Sequence, residues 1–364
     1  MSFSSSMVSV IIVADRVGSP KAHRAYKYLP ATINSVRQQT FSNWEILIFH
    51  DGKSSHLLQW IDRQSDDRLR LFCQDDLSIA DMFNWGIRFA RGEYIAFLKA
   101  GDLWHRNKLQ KQVFDLDCDP HVGLVHSWLM RIENCHLFKK KIRRYRLTGW
   151  VKPNILQRNP IRYQSVVVRR SCFDKVGLFD PWLKTTADWD MWIRLSNHYQ
   201  FTTISEPLVY YRQDSDSTPE SWLIAETDLQ AVIEKAYQDA PKELQGLKNR
   251  SYAYSSLSLA QQVLQHQQPD YLIAHNYCRQ ALEQSLRVGL SLEFLQVALT
   301  AVTLGWLNSS DRYSFLLALL KTSQTWLQII FQKFKLSAQL LLNWMLEEEG
   351  VANQEKSRIL RNEE

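Results

Sequence analysis

The sequence predicts an α/β fold with a mostly parallel central sheet, followed by an all-helical C-terminal region. Three observations carry this. Continuous apolar, β-branched runs such as VSVIIV (Val8–Val13) and WEILIF (44–49) fit strands buried on both faces. These runs alternate with segments of helical period, the pattern of parallel strands joined by crossover helices. Beyond about residue 218 Gly and Pro become sparse, and Leu, Gln and Ala dominate. At 364 residues the chain exceeds one ordinary domain. The expected divisions are 1–217 for the α/β domain, 218–350 for a helical accessory region and 351–364 for a charged tail.

In chain order, the first strand (8–13) leads through a polar loop into a helix over 28–39. The second strand ends at His50-Asp51-Gly52-Lys53. Helical spacing returns over 57–63, and 69–72 is a short third strand. Residues 79–90 read as a helix with Ile79, Phe83 and Ile87 on one face, closed by Gly92. The stretch RGEYIAFLKAGDLW (91–104) organises the rest. Its apolar part is a buried strand, and Lys99-Ala100-Gly101-Asp102 is a small-residue turn with one carboxylate. Open α/β sheets bind ligands just past strand ends; a plain polar turn is the alternative. A helix over 108–116, strands over 122–127 and 165–168, and a helix over 172–176 follow. Then come an amphipathic helix over 188–195 and two strands over 201–204 and 208–211. Further on, 252–265 and 271–286 read as an antiparallel helix pair joined by Gln268-Pro269-Asp270.

Composition narrows the function. Five cysteines, none in a Cys-x-x-Cys pair, indicate neither a disulfide framework nor a zinc site. Reduced thiols and a cytoplasmic location are expected. The start, MSFSSSMVSV, lacks the basic and apolar regions of a signal peptide. No uncharged apolar run approaches the ~18 residues of a membrane span. Residues 1–216 carry 31 basic and 22 acidic side chains, a net of +9, against −3 for the remainder. The front part is therefore the candidate for an anionic ligand. KKKIRRYR (139–146) is either a solvated loop or an anion-facing patch for phosphate or lipid headgroups. The loop after the first strand, ADRVGSPK, has one glycine where a dinucleotide fingerprint needs three.

Several stretches, in this order, resemble the family-2 glycosyltransferases of GT-A fold. They are VSVIIV, SVRQQTFSNWEILIFHDG, SIADMFNWGIRFARGEYIAFLKAGDLW, VGLFD, and ADWDMWIRL followed by EPLVYYR. The similarity covers roughly residues 7–213. It implies an inverting transfer of sugar from a nucleotide-sugar donor, UDP-linked, to a glycan or lipid-linked acceptor in surface polysaccharide or glycolipid assembly. Such an in-line displacement needs a base for the acceptor hydroxyl. Asp188 matches the family's base; its plainer reading is a helix N-cap. Asp51 matches the carboxylate that recognises the nucleotide base, or is an Asp-Gly turn residue. Asp81 and Asn84, one helical turn apart, match polar positions near the sugar donor, or are a solvent-facing pair. Arg212 matches an arginine that approaches the diphosphate. Trp189, Asp190 and Arg194 read as packing and helix-surface residues. No nucleic-acid partner is expected.

The sequence departs from the family where it usually has Asp-x-Asp. Lys99 and Gly101 hold those places, and Asp102 follows. The resemblance implies a divalent metal, Mg2+ or Mn2+, with Asp102 as the remaining ligand candidate. An ammonium opposes a metal cation, so Lys99 is expected to neutralise the diphosphate itself. A binding or scaffold protein that has lost the metal motif is the second reading. A sugar-phosphate nucleotidyltransferase is the third; it needs a glycine-rich basic loop, and ADRVGSPKAHR is basic but glycine-poor. Residues 311–346 place Leu316, Leu319, Leu320, Leu327, Ile330, Phe331 and Phe334 on one helical face. That face either packs on neighbouring helices or lies peripherally on an anionic membrane with Trp326 and Phe334 inserted.

Overall fold

The computed structural model describes residues 6–14, 22–50, 60, 63, 66–73, 77–132, 142–212, 219–266 and 268–308. Asp51, residues 57–59, 61 and 62 of the helix expected over 57–63, residues 139–141 of the basic cluster, the helix expected over 311–346 and the charged tail lie outside them. The chain forms two compact units, Met1–Ser251 and Tyr252–Glu364.

The first unit has the expected α/β architecture. Its strands are β1 (Val8–Val13), β2 (Trp44–His50), β3 (Leu69–Cys73), β4 (Tyr94–Lys99), β5 (Leu103–Trp104), β6 (Val122–Ile132), β7 (Ile142–Arg143), β8 (Val166–Arg169) and β9 (Gln200–Arg212). Its helices are α1 (Ala22–Arg37), α2 (Ile79–Phe89), α3 (Lys108–Cys118), α4 (Lys152–Gln157), α5 (Arg170–Val176), α6 (Ala187–Ser196) and α7 (Pro219–Gln238). The nine-stranded sheet runs β3-β2-β1-β4-β8-β6-β9-β5, with β7 on β6. β1 pairs in parallel with both β2 and β4, and β8 is antiparallel to β4 and β6.

Alternation along the central strands builds two layers. Val10, Ile12, Ala96 and Leu98 pack with Leu29, Ile33 and Val36 of α1 and Leu109, Val113 and Leu116 of α3. An aromatic layer gathers Phe83, Phe97, Phe173, Phe179 and Trp192, with ring centroids 4.6 to 6.5 Å apart. These contacts hold α2, α5 and α6 to one another and to β4.

Some expectations are corrected. The first helix starts at Ala22, not near residue 28. The two strands expected over 201–204 and 208–211 are one strand, β9. Its pairing with β6 shifts register around Trp128 and Pro207, where an irregularity accommodates the proline's missing N–H. Gly92 does not cap α2; an added Cβ there would fall 2.6 Å from Ser9 N and 2.7 Å from Met7 O. Glycine is needed for the close approach of this backbone to β1.

Lys108 is fully buried, with Nζ 3.4 Å from the Val166 carbonyl and 4.1 Å from the centre of the Trp104 ring. Burial holds its ammonium well below the usual lysine range. The unfolded chain therefore binds this proton more tightly, and the group's destabilising effect fades as pH rises toward 10.5. Lys108→Met keeps the stem and removes the desolvation cost. We expect it to melt at or above the wild-type temperature near pH 7, with the difference shrinking in alkaline buffer; a lower melting temperature at pH 7 would contradict this.

The second unit is helical in its described residues, with α9 (Tyr271–Gln284), the short α10 (Leu286–Gly289) and α11 (Leu292–Asn308) following α8 (Lys248–Leu264), in which it begins. The four-residue helix Lys242–Gln245 belongs to the first unit. α9 packs on α11, and Gln261 Nε2 donates to Glu293 Oε1 at 3.2 Å. No described helix is long and apolar enough to cross a membrane.

Candidate active site

The sheet reverses its winding between β1 and β4. Val13 and Lys99 are partners at the carboxyl ends of these strands, where open α/β sheets bind ligands. The turn after β4 is clamped from two sides. Thr32, buried on α1, accepts from Gly101 N at 2.9 Å and donates to the Asp102 carbonyl at 2.9 Å. Asp102, also buried, accepts the Arg212 amide on Oδ1 at 2.9 Å. Arg212 Nε donates to the Gly101 carbonyl at 3.0 Å, and its guanidinium lies 4.3 Å from the centre of the Tyr28 ring. Asp102 and Arg212, 110 residues apart in sequence, thus meet at this turn, just past Lys99 at the end of β4.

Gly101 has φ +103°, a conformation L side chains rarely adopt. The glycine in the family's second aspartate position is therefore built into the turn.

Asp188 stands in the first turn of α6, and Thr186, not Asp188, is the N-cap residue. Its carboxylate turns instead to the loop after α4. Asn159 Nδ2 donates to Asp188 Oδ1 at 3.1 Å, and Ile161 N donates to Asn159 Oδ1, fixing the amide. Burial pushes the Asp188 carboxyl up to about 6, partly opposed by the Arg162 guanidinium, the amides of Trp189 and Tyr163, and the Asn159 bond. Trp189 and Trp192 donate through Nε1 to the carbonyls of Ile155 and Ile161, so one face of α6 holds α4 at one point and the loop after it at two. Asp190 is buried, pairing with Arg194 and Lys235 at 2.8 and 2.9 Å. Arg194 also donates to the carbonyls of Val176, Gly177 and Leu178. Asp190 is a buried packing residue, and the partly exposed Arg194 braces the turn before α6.

Asp81 and Asn84 have other partners. Asp81 closes a capping box, accepting from Ser78 N at 3.0 Å and Ser78 Oγ at 2.6 Å. Asn84 is buried and exchanges two 2.8 Å bonds with the Phe179 backbone. It holds the turn before α6, and the solvent-facing alternative does not apply to it.

Residues 21–175 match the family model described as Glycosyl transferase family 2. This segment belongs to glycosyl transferase family 2. An uncharacterized glycosyltransferase of Rickettsia bellii is 29% identical over 188 residues, covering 51% of this chain. The chain spans only 27% of that relative's length. The glucosyltransferase WfgD of Escherichia coli, named for UDP-Glc and a diphosphoundecaprenol-linked GlcNAc, is 33% identical over 93 residues, covering 25% of this chain and 37% of WfgD. The mannosyltransferase PcManGT of Pyrobaculum calidifontis, solved with GDP-Man and Mn2+, is similar in structure, with a TM-score of 0.51 at 15% identity. It covers 90% of this chain and 88% of its own. At that identity the likeness is one of fold, and the fold is GT-A.

A metal fits the described residues poorly. They contain no group of three His, Cys, Asp or Glu able to hold one. The turn after β4 offers the single carboxylate of Asp102, already bonded to the Arg212 amide, with Lys99 in the same turn. No step below is routed through a metal.

Tyr28, Thr32, Asn159, Arg162 and Tyr211 escaped the sequence reading. Each acts through contacts 29 or more residues away, which leave no local spacing to find.

Proposed function

We propose that the chain is an inverting glycosyltransferase that moves a sugar from a nucleotide-sugar donor to a glycan or lipid-linked acceptor in surface polysaccharide or glycolipid assembly. The observation that carries this is Asp188, a carboxyl with basicity raised to about 6, held by Asn159 on the loop that α6 fixes. Ionised at neutral pH, it takes the proton of the acceptor hydroxyl as that oxygen attacks the anomeric carbon. The bond from that carbon to the diphosphate oxygen breaks, and the departing nucleoside diphosphate carries the charge. Lys99 and Arg212 supply compensating cations at the turn after β4. The name of WfgD supports a lipid-linked diphosphate acceptor and a UDP-linked sugar. Asp51 remains our candidate for contact with the nucleotide base.

Because Lys99 and the glycine-type turn replace the usual acidic pair, metal dependence is expected to be weak. The test is a screen of nucleotide sugars by thermal shift and transfer assay, with Mn2+ or with EDTA. Binding and turnover should persist in EDTA, and Arg212→Gln should weaken nucleoside diphosphate binding about 10- to 100-fold, the loss of a charge-assisted contact. Complete loss in EDTA, restored by Mn2+, would remove the metal-sparing role of Lys99. Absence of binding to every nucleotide sugar would favour the scaffold reading.

A further inference from the structure

Two guanidinium groups flank the aromatic ring next to Arg212. Arg143, on β7, donates from Nε to Tyr211 Oη at 3.2 Å, with its Cζ 6.0 Å from the ring centre. Arg162, in the loop after α4, sets its Cζ 5.3 Å from the same centre. Tyr211 is buried beneath them, whereas Arg162 is exposed and Arg143 half-buried. Among the described residues no carboxylate forms an ion pair with either arginine. Arg162 acts on Asp188 through space without a direct ion pair. Two like charges on one ring repel each other, and a bound anion relieves that repulsion.

Position separates this pair from the cluster at the turn after β4. Tyr211 and Arg212 are successive residues of β9, so their side chains leave opposite faces of the strand. Arg212 packs on Tyr28 and Gly101; Tyr211 packs under Arg143 and Arg162, and Arg162 neighbours the base. A base of this kind meets the acceptor, so an anion bound beside it belongs to the acceptor. Guanidinium forks match phosphate oxygens.

We propose that Arg143 and Arg162, set against Tyr211 beside Asp188, form a subsite for a phosphate or diphosphate carried by the acceptor. The assignment to the acceptor rests on the glycosyltransferase reading; the anion site itself does not. The test uses the full chain, saturated with UDP or GDP, and titrates in inorganic pyrophosphate by calorimetry. Arg143→Gln with Arg162→Gln should weaken pyrophosphate binding about tenfold or more, while nucleoside diphosphate affinity and melting temperature stay unchanged. The paired lysine variant should recover part of the binding. Unchanged pyrophosphate affinity in the glutamine double variant overturns the proposal. So does an equal loss of nucleoside diphosphate binding, which would assign both arginines to the sugar donor. A loss of binding to anionic phosphatidylglycerol vesicles with pyrophosphate binding intact would assign them to a membrane surface and overturn it too. The glycosyltransferase reading fails by a different sign, wild-type protein that binds no nucleoside diphosphate or nucleotide sugar.

Discussion

Asp188→Asn is expected to lower turnover by about 10²-fold or more while the fold stands. Asparagine is nearly isosteric, and its amide oxygen still accepts from Asn159 Nδ2. What it lacks is the lone-pair basicity that takes a proton from the acceptor hydroxyl. Two pH dependences accompany the loss. Wild-type turnover should rise with pH through about 6, as the carboxyl ionises, and then level off. Stability should run the other way. The folded carboxyl lies above its unfolded value of 3.8, so the native state binds the proton more tightly between that value and about 6. Stability therefore falls as pH rises through this window, and the full cost is present above it. The asparagine variant avoids that cost, so at about pH 8 it should melt no lower than wild type. Near-normal turnover of purified Asp188→Asn protein would remove this residue from the mechanism.

What the sequence disclosed and what it withheld divide along a physical line. Strands buried on both faces are written as continuous apolar runs, so β1, β2 and β4 were legible with nearly correct ends. Asp188, Lys99, Asp102 and Arg212 were singled out because they lie in short stretches that resemble a family in order and spacing. The partners of these residues were not. Thr32 braces the turn after β4 across 69 residues to Gly101, and Arg143 reaches Tyr211 across 68. Such pairs exist only after the sheet has formed. Asp81 carries two readings for a related reason. The Ser-x-x-Asp spacing of a capping box and the family's polar position coincide, and the structure uses Asp81 for the cap. Glu45 gave no signal, because it sits inside a run read as a buried strand and its partners Arg70, Ser9 and Arg91 lie 25, 36 and 46 residues away.

Glu45→Ala is expected to cost about 3–5 kcal/mol of stability. The carboxylate is 1% exposed and is used on both oxygens. Oε1 accepts from Ser9 Oγ and from the Arg91 amide, each at 2.7 Å, and Oε2 accepts from Arg70 Nη1 at 3.0 Å. Ser9 Oγ in turn accepts the Gly92 amide at 2.8 Å. One side chain on β2 therefore ties the start of β1, the guanidinium on β3 and the entry to β4. Removing it strands the buried hydroxyl and amide, each costing about 1–3 kcal/mol unsatisfied, and leaves Arg70 with the Phe89 carbonyl as its hydrogen-bond partner. Glu45→Gln should fall between, since its carbonyl oxygen still accepts while its NH2 opposes Arg70. The network lies at the amino ends of the strands, the far end from Lys99 and Asp102. Turnover per folded molecule, measured well below the melting transition, should therefore match wild type even as the denaturation midpoint drops. A loss of less than about 1 kcal/mol would show that the surrounding groups find other partners or water. A loss of turnover without loss of stability would couple the two ends of the sheet, a link that the rigid packing between them does not require.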